Sequence, residues 1–216
     1  FTKEKIEERV KAVSDTLNLS SFLSSPARKL TADQKQLISL GRGLVREDVA
    51  AVLMDEPLTV IDPDLKFRLR RNLKEINEQY KTTLVYVTHD QNEAMTFAEN
   101  IIVMDQGEIV QVGLPKDLFE RPKTTFVGYF IGSPAMNLFE SEVLTDFEVK
   151  VESIKIKTNS NLSKLKDKKV KLGVRSEFID IAENEGENTF KARVNRVEDF
   201  GTVSYTHLTL PTIALV

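Results

Sequence analysis

Cysteine is absent from this 216-residue sequence. Disulfides and thiolate metal sites are thereby excluded, while residence in a reducing compartment is permitted. Histidine is scarce, with two residues, so imidazole chemistry has only two places to sit. No apolar run approaches the ~20 residues that a membrane-crossing helix needs. No secretory signal is recognisable. Neither sign of charge dominates: 30 basic residues stand against 33 acidic ones, a net charge of -3. That balance argues against a broad nucleic-acid-binding surface. Glycine is thin as well. No two of the nine glycines have the spacing of G-x-x-x-x-G-K-[ST], so a phosphate-cradling loop of that form is not written in these residues.

What is there suits a globular protein. The hydrophobic share is 41%, and the length allows one large domain or two small ones. The sequence enters at Phe1 directly into a charged amphipathic pattern, KEKIEERVKAVSDTLNL; it reads as a piece of a longer protein, truncated at its N-terminal side. Ile6, Val10, Val13 and Leu17 recur at helical spacing and predict a helix over residues 3–18. TADQ fits a capping box, with Thr31 as N-cap and Gln34 reaching back. Leu37, Ile38, Leu44 and Val45 form the apolar face of that helix.

Residues 49–54 are a short apolar run of the kind found in strands buried on both faces. Asp62 and Pro63 fit the start of a helix whose core stripe is Leu65, Leu69, Leu73, Ile76 and Tyr80. TLVYV reads as a second strand ending at Thr88. Asp90 and Glu93 fit the cap of a short helix. IIVM runs through the turn DQGE into IVQV. Strand and helix alternating at these lengths predict an α/β fold with βαβ units and a parallel sheet. Ligands of such sheets bind beyond the carboxyl ends of the strands, where Asp55, Glu56, Thr88 and His89 are placed. Past Pro134 the texture turns β-rich and alternating, which predicts a second, small all-β domain of barrel type. Gly132, Ser133 and Pro134 read as its linker, and Phe178, Phe190 and Phe200 as members of its core.

An acidic pair after a strand is weak by itself. His89 at the end of the next strand strengthens it, because nucleotide hydrolysis needs these residue types. A hard Mg²⁺ ion takes oxygen ligands, directly or through water, which suits Asp55. The attacking water needs an acceptor, which suits Glu56. The γ-phosphate needs a positioned donor, which suits His89.

LTADQKQLISLGRGLVRED, VLMDEPLTVID and YVTHDQNEAMTFA stand in the order and spacing of ATP-binding-cassette (ABC) ATPases. They resemble the signature motif, the Walker B strand with its glutamate, the D-loop and the switch histidine. VQVGLPKDLFERP and FVGYFIGSPAMN are similar to the following stretch in the ATPase subunits of sugar and polyol importers. VKLGVRSEFIDI and RVEDFG resemble their C-terminal regulatory barrel. The resemblance covers roughly residues 1–202. It implies the C-terminal part of a P-loop NTPase (ABC ATPase) domain over 1–134, followed by an incomplete OB-like β regulatory domain over 135–202. It implies a transport ATPase that uses ATP and Mg²⁺ to drive import of a sugar or a glycerol-like polyol. Asp55 would sit on Mg²⁺ through water, Glu56 would polarise the attacking water, and His89 would contact the γ-phosphate. Asp62 would communicate across a dimer. Thr31, Ala32, Asp33 and Gln34 would face ATP held by a partner subunit. The implied partners are a second ATPase subunit, the same or different, transmembrane permease subunits and, indirectly, an external solute-binding protein; no nucleic acid is implied. The implied location is peripheral, on the cytoplasmic face of the inner (plasma) membrane.

Two departures bear on this. The phosphate loop and the Q-loop are missing, so this polypeptide alone is expected neither to bind ATP tightly nor to hydrolyse it. The family's L-S-G-G-Q is here Leu30-Thr31-Ala32-Asp33-Gln34. A carboxylate at position 33 repels phosphate if it faces the ligand; turned toward its own helix N-terminus it is favourable with the dipole. A weakened half-site would favour a heterodimer, and the variant resembles that of glycerol-type importers. The alternative reading is a non-hydrolytic regulatory or interaction subunit with a degenerate nucleotide site. Finally, VSYTHLTLPT at 203–212 resembles the in-frame translation of a transposon-derived sequencing adaptor, which implies that 203–216 are read-through.

Overall fold

The computed structural model describes residues 2–46, 49–166, 168–201 and 203–209. Two compact units emerge, one of residues 1–101 with 113–115, the other of residues 102–112 with 116–216.

The first unit begins with α1 (Lys3–Thr16), started by the Thr2 hydroxyl, which accepts from Lys5 N. Val13 and Leu17 are buried as the helical period predicts, but Ile6 and Val10 are exposed. Arg9 turns inward instead and is 8% exposed. Its Nη2 donates to Leu44 O at 3.0 Å and its Nε to Val45 O at 3.3 Å. These are carbonyls at the end of α2 (Ala32–Leu44), which have no partner within their own helix and attract a cation. On α3 (Pro63–Tyr80), Leu69 and Leu73 are fully buried and Ile76 nearly so. Each such leucine contributes about 2–3 kcal/mol of burial, enough to hold a helix rich in charge to its place.

β1 (Ala51–Asp55) and β2 (Thr83–Val87) pair in parallel, from Ala51 opposite Thr83 to Asp55 opposite Val87. Met54 is buried and Val52, Leu84 and Tyr86 pack against the helical core. Leu53 is 79% exposed, and Val85 and Val87 are exposed with it. The strand is therefore half-buried, not buried on both faces as its composition predicts. Side chains alternate along a strand, and only one face meets the helices. α4 (Gln91–Phe97) follows, capped by Asp90 Oδ1, which accepts from Asn92 N and Glu93 N. β3 (Ile101–Asp105) pairs with β4 (Glu108–Gly113) across Gln106 and Gly107, whose φ angles are 47° and 84°. Positive φ at both positions suits a two-residue hairpin turn, as DQGE predicts.

The second unit also holds α5 (Pro115–Glu120), α6 (Thr125–Phe130) and an antiparallel sheet. The sheet comprises β5 (Asn137–Thr145), β6 (Glu148–Val151), β7 (Ile154–Lys157) and β8 (Val170–Val174), in the order β7-β6-β5-β8. Buried Arg175 donates to Phe119 O at 2.9 Å and to Ile131 O at 2.7 Å. Gly132 has φ 116°, and a Cβ there would lie 2.5 Å from Arg175 Nη1. Glycine is required here by the positive φ and the close approach together.

The expected closed barrel is not formed among the described residues; the sheet is open. Closure requires the two edge strands to find partners. The β7 edge is instead occupied at Lys157, whose N donates to Asn188 Oδ1 at 2.8 Å and whose O accepts from Asn188 Nδ2 at 3.1 Å. Among the described residues β9 (Arg193–Asp199) pairs only with β10 (Ser204–Thr209). Without closure there is no interior for Phe178, Phe190 and Phe200, which are exposed.

Candidate functional site

Because Asp55 stands opposite Val87, β1 and β2 end level with one another. The next residue continues the ladder: Glu56 N donates to Val87 O at 2.9 Å. There the backbone turns left-handed, with φ 48° at Glu56, a region that residues with a Cβ rarely adopt. The Glu56 carboxylate spans the two strand ends. Its Oε1 accepts from His89 N at 3.1 Å and lies 2.5 Å from His89 Nδ1, and its Oε2 accepts from Thr59 Oγ1 at 3.1 Å. The hydrogen bond to Glu56 raises the pKa of His89, and the same bond is the main cause that lowers that of Glu56. The two predicted catalytic residues are thus brought into one ion-pairing contact.

Asp55 is exposed, and its carboxylate has no hydrogen-bond or ion-pair partner among the described residues. A solvent-facing carboxylate next to the Glu56–His89 pair is the donor type that a hydrated Mg²⁺ ion accepts. No group of three or more His, Asp or Glu able to hold a metal occurs among the described residues. Asp55 would therefore supply one contact of a set otherwise made of water and phosphate oxygens.

The turn carrying His89 is anchored from below by Glu93, which is 3% exposed. Glu93 Oε2 accepts from Tyr86 Oη at 2.8 Å and from Thr88 Oγ1 at 3.0 Å. Its Oε1 pairs with Lys66 at 3.4 Å and Arg70 at 3.7 Å. Thr88 Oγ1 in turn accepts from Asp90 N at 3.0 Å. Burial, and next the bond to Glu93, push the Tyr86 hydroxyl pKa up.

At the start of α2, Gln34 Oε1 accepts from Thr31 N at 3.1 Å, the predicted capping contact. The Thr31 hydroxyl donates to Asp33 Oδ1, and this bond is the leading cause that lowers the Asp33 pKa. Ala32 is exposed. Asp62 is exposed, and its carbonyl accepts from Lys66 N at 2.8 Å at the start of α3. Among the described residues no hydrogen bond joins Thr31, Ala32, Asp33 or Gln34 to Glu56 or His89. The connection runs through Gln36, whose Nε2 donates to Glu56 O at 3.0 Å. Gln36, Thr59 and Glu93 are the site residues that sequence reasoning missed. Nothing in the helical period separates Gln36 from a solvated residue, and Glu93 is legible only as a cap.

No family model matches this sequence. The oligosaccharides import ATP-binding protein MsmX of Bacillus subtilis is 38% identical over 210 residues, 93% of this chain and 57% of its own length. The sn-glycerol-3-phosphate import ATP-binding protein UgpC of Pectobacterium atrosepticum is 40% identical over 188 residues, 86% of this chain and 52% of its own length. Its namesake in Cereibacter sphaeroides is 39% identical over 208 residues, 96% of this chain and 57% of its own length. This chain is a homologue of ABC importer ATP-binding subunits. The homologue spans little more than half the length of these curated relatives. Among solved structures, an ATP-binding cassette of an ABC transporter in its ADP conformation matches with a TM-score of 0.48 at 22% identity, over 59% of this chain and 51% of that one.

Proposed function

We propose that the intact subunit hydrolyses ATP and powers uptake of a sugar or a glycerol-like polyol through an ABC importer. The observation that carries this reading is the 2.5 Å contact between Glu56 Oε1 and His89 Nδ1 at the level ends of two parallel strands. Relatives named for import of oligosaccharides and of sn-glycerol-3-phosphate support the substrate class. Glu56 accepts a hydrogen bond from the attacking water and polarises it. His89 donates to the γ-phosphate, and for that its imidazole must leave Glu56, whose Oε1 it occupies. Asp55 would hold Mg²⁺ through water, and the ion would supply positive charge beside the phosphates. Thr31, Ala32, Asp33 and Gln34 face nucleotide held by a second ATPase subunit, and Asp62 communicates with that subunit. Permease subunits receive the work, and a solute-binding protein delivers the cargo to them. The subunit sits peripherally on the cytoplasmic face of the membrane; no described helix is long and apolar enough to cross one. The β-rich second unit is assigned a regulatory role of the OB-like kind.

The 216 residues contain no phosphate loop, so alone they neither bind ATP tightly nor turn it over. In the intact, reconstituted subunit, Glu56→Gln is expected to lower ATPase turnover by about 10²–10⁴-fold while ATP binding persists. Wild-type turnover in that variant would overturn the reading.

One observation favours a second reading. Asp33 stands in the signature-like turn at a position the family gives to glycine, and its carboxylate occupies the Thr31 hydroxyl that the family's serine would offer to nucleotide. On this reading the subunit has a degenerate nucleotide site and acts by interaction, not hydrolysis. The same variant separates the two when transport is read: an interaction subunit supports transport equally well with Glu56→Gln.

A further inference from the structure

One side chain of α2 reaches the back of the residue that carries the candidate catalytic carboxylate. Gln36 is half-buried. Its Nε2 donates to Glu56 O at 3.0 Å, and its Oε1 accepts from Val60 N at 3.4 Å. A single amide therefore closes on both ends of the turn from Glu56 to Val60. Within that turn Thr59 Oγ1 donates to Glu56 O at 3.0 Å and to Glu56 Oε2 at 3.1 Å. The turn has reason to need holding, because Glu56 sits at φ 48°. A left-handed residue with a Cβ persists only where its surroundings over-determine it. The chemistry of the lock is specific. It must donate to a carbonyl and accept from an N–H at once, which a primary amide does and a carboxylate, an ammonium or an aliphatic group does not.

We infer that Gln36 is a positioning residue that locks the left-handed turn at Glu56 and so ties the placement of its carboxylate to helix α2. Its meaning for hydrolysis rests on the function proposed above; the lock itself does not. Gln36 stands two residues beyond Gln34 on the same helix, within the first two turns. A helix moves as a rigid rod over that distance, so engagement of Thr31, Ala32, Asp33 and Gln34 by a partner's nucleotide is transmitted to this subunit's own Glu56. The candidate trans-acting turn and the candidate cis-acting carboxylate are mechanically one piece.

The test uses the intact subunit and no nucleotide. Gln36→Glu keeps the shape and removes the donor. Gln36 makes no hydrogen bond to His89, so the informative reading is the His89 amide, which is held by Glu56 Oε1. In Gln36→Glu the exchange of that amide proton is expected to accelerate about tenfold, the effect of losing one charge-assisted bond. The Cα and Cβ chemical shifts of residue 56 are expected to leave the left-handed range, while the amides of Leu69 and Leu73 keep their protection. An unchanged His89 amide and unchanged shifts at residue 56 would overturn the lock. Should Gln36→Glu also expose the core amides, Gln36→Met, of equal reach and without charge, decides by the same two readings. Failure of ATP hydrolysis in the intact subunit would leave these readings where they stand, so the two ideas fail separately.

Discussion

Glu56 and His89 hold opposite charges over a defined pH range, and the signs of their shifts set its limits. The pKa of His89 is raised by Glu56. Its contribution to stability is therefore full below the ordinary imidazole pKa and is lost as pH rises through the raised value. The pKa of Glu56 is lowered by His89. Its contribution is full above the ordinary carboxyl pKa and is lost as pH falls through the lowered value. The pair is thus strongest in mildly acidic solution and weakens on both sides. Its worth in stability is small, because the imidazole is 78% exposed and solvent screens such pairs. The titration is the sensitive reading. By NMR, the His89 midpoint is expected above that of a free imidazole and to fall back in Glu56→Gln. A midpoint that does not respond to the substitution would mean that the contact does not persist in solution.

Single elements would not hold this arrangement. α3, α4 and β2 meet at the Glu93 carboxylate, which joins Lys66 and Arg70 to Tyr86 and Thr88. A buried charge with several partners is costly to break from one side, since the others lose their counter-group. Lys66 and Arg70 remain in part open to water, which moderates the cost. Glu93→Gln is expected to destabilise the chain by about 2–3 kcal/mol in urea unfolding. It is also expected to loosen the Asp90 amide, which depends on Thr88. A change below about 0.5 kcal/mol would place the carboxylate outside the fold's support. α1 shows the same principle at a helix end: Arg9 satisfies the terminal carbonyls of α2, so the inward face of α1 is set by a cation, not by the apolar period alone.

At the scale of the whole molecule, the open sheet of the second unit leaves strand edges to be covered. Its β7 edge is blunted at Lys157 by the Asn188 side chain. Exposed strand edges template pairing with other chains. Asn188→Ala is expected to increase self-association, read as a rising scattered mass with concentration; unchanged scattering would show that the asparagine does not protect the edge. The starts of α2 and α4, the places of β1 to β4 to within a residue or two, the DQGE hairpin and the order of the motifs were legible in the sequence. Each depends on residues within a turn or two, where capping, period and turn chemistry act. The residue types of the site were legible for the same reason, as strand-end carboxylates and a strand-end histidine. Tertiary structure alone decided that β1 and β2 end level, that Glu56 turns left-handed to meet His89, and that Gln36 and Glu93 support the pair. It also decided that Arg9 turns inward in place of Ile6 and Val10 and that the sheet stays open. Glu56 and His89 are 33 positions apart, and Arg9 and Leu44 are 35. Contacts at such separations are chosen by register and packing of whole elements, which no local period encodes.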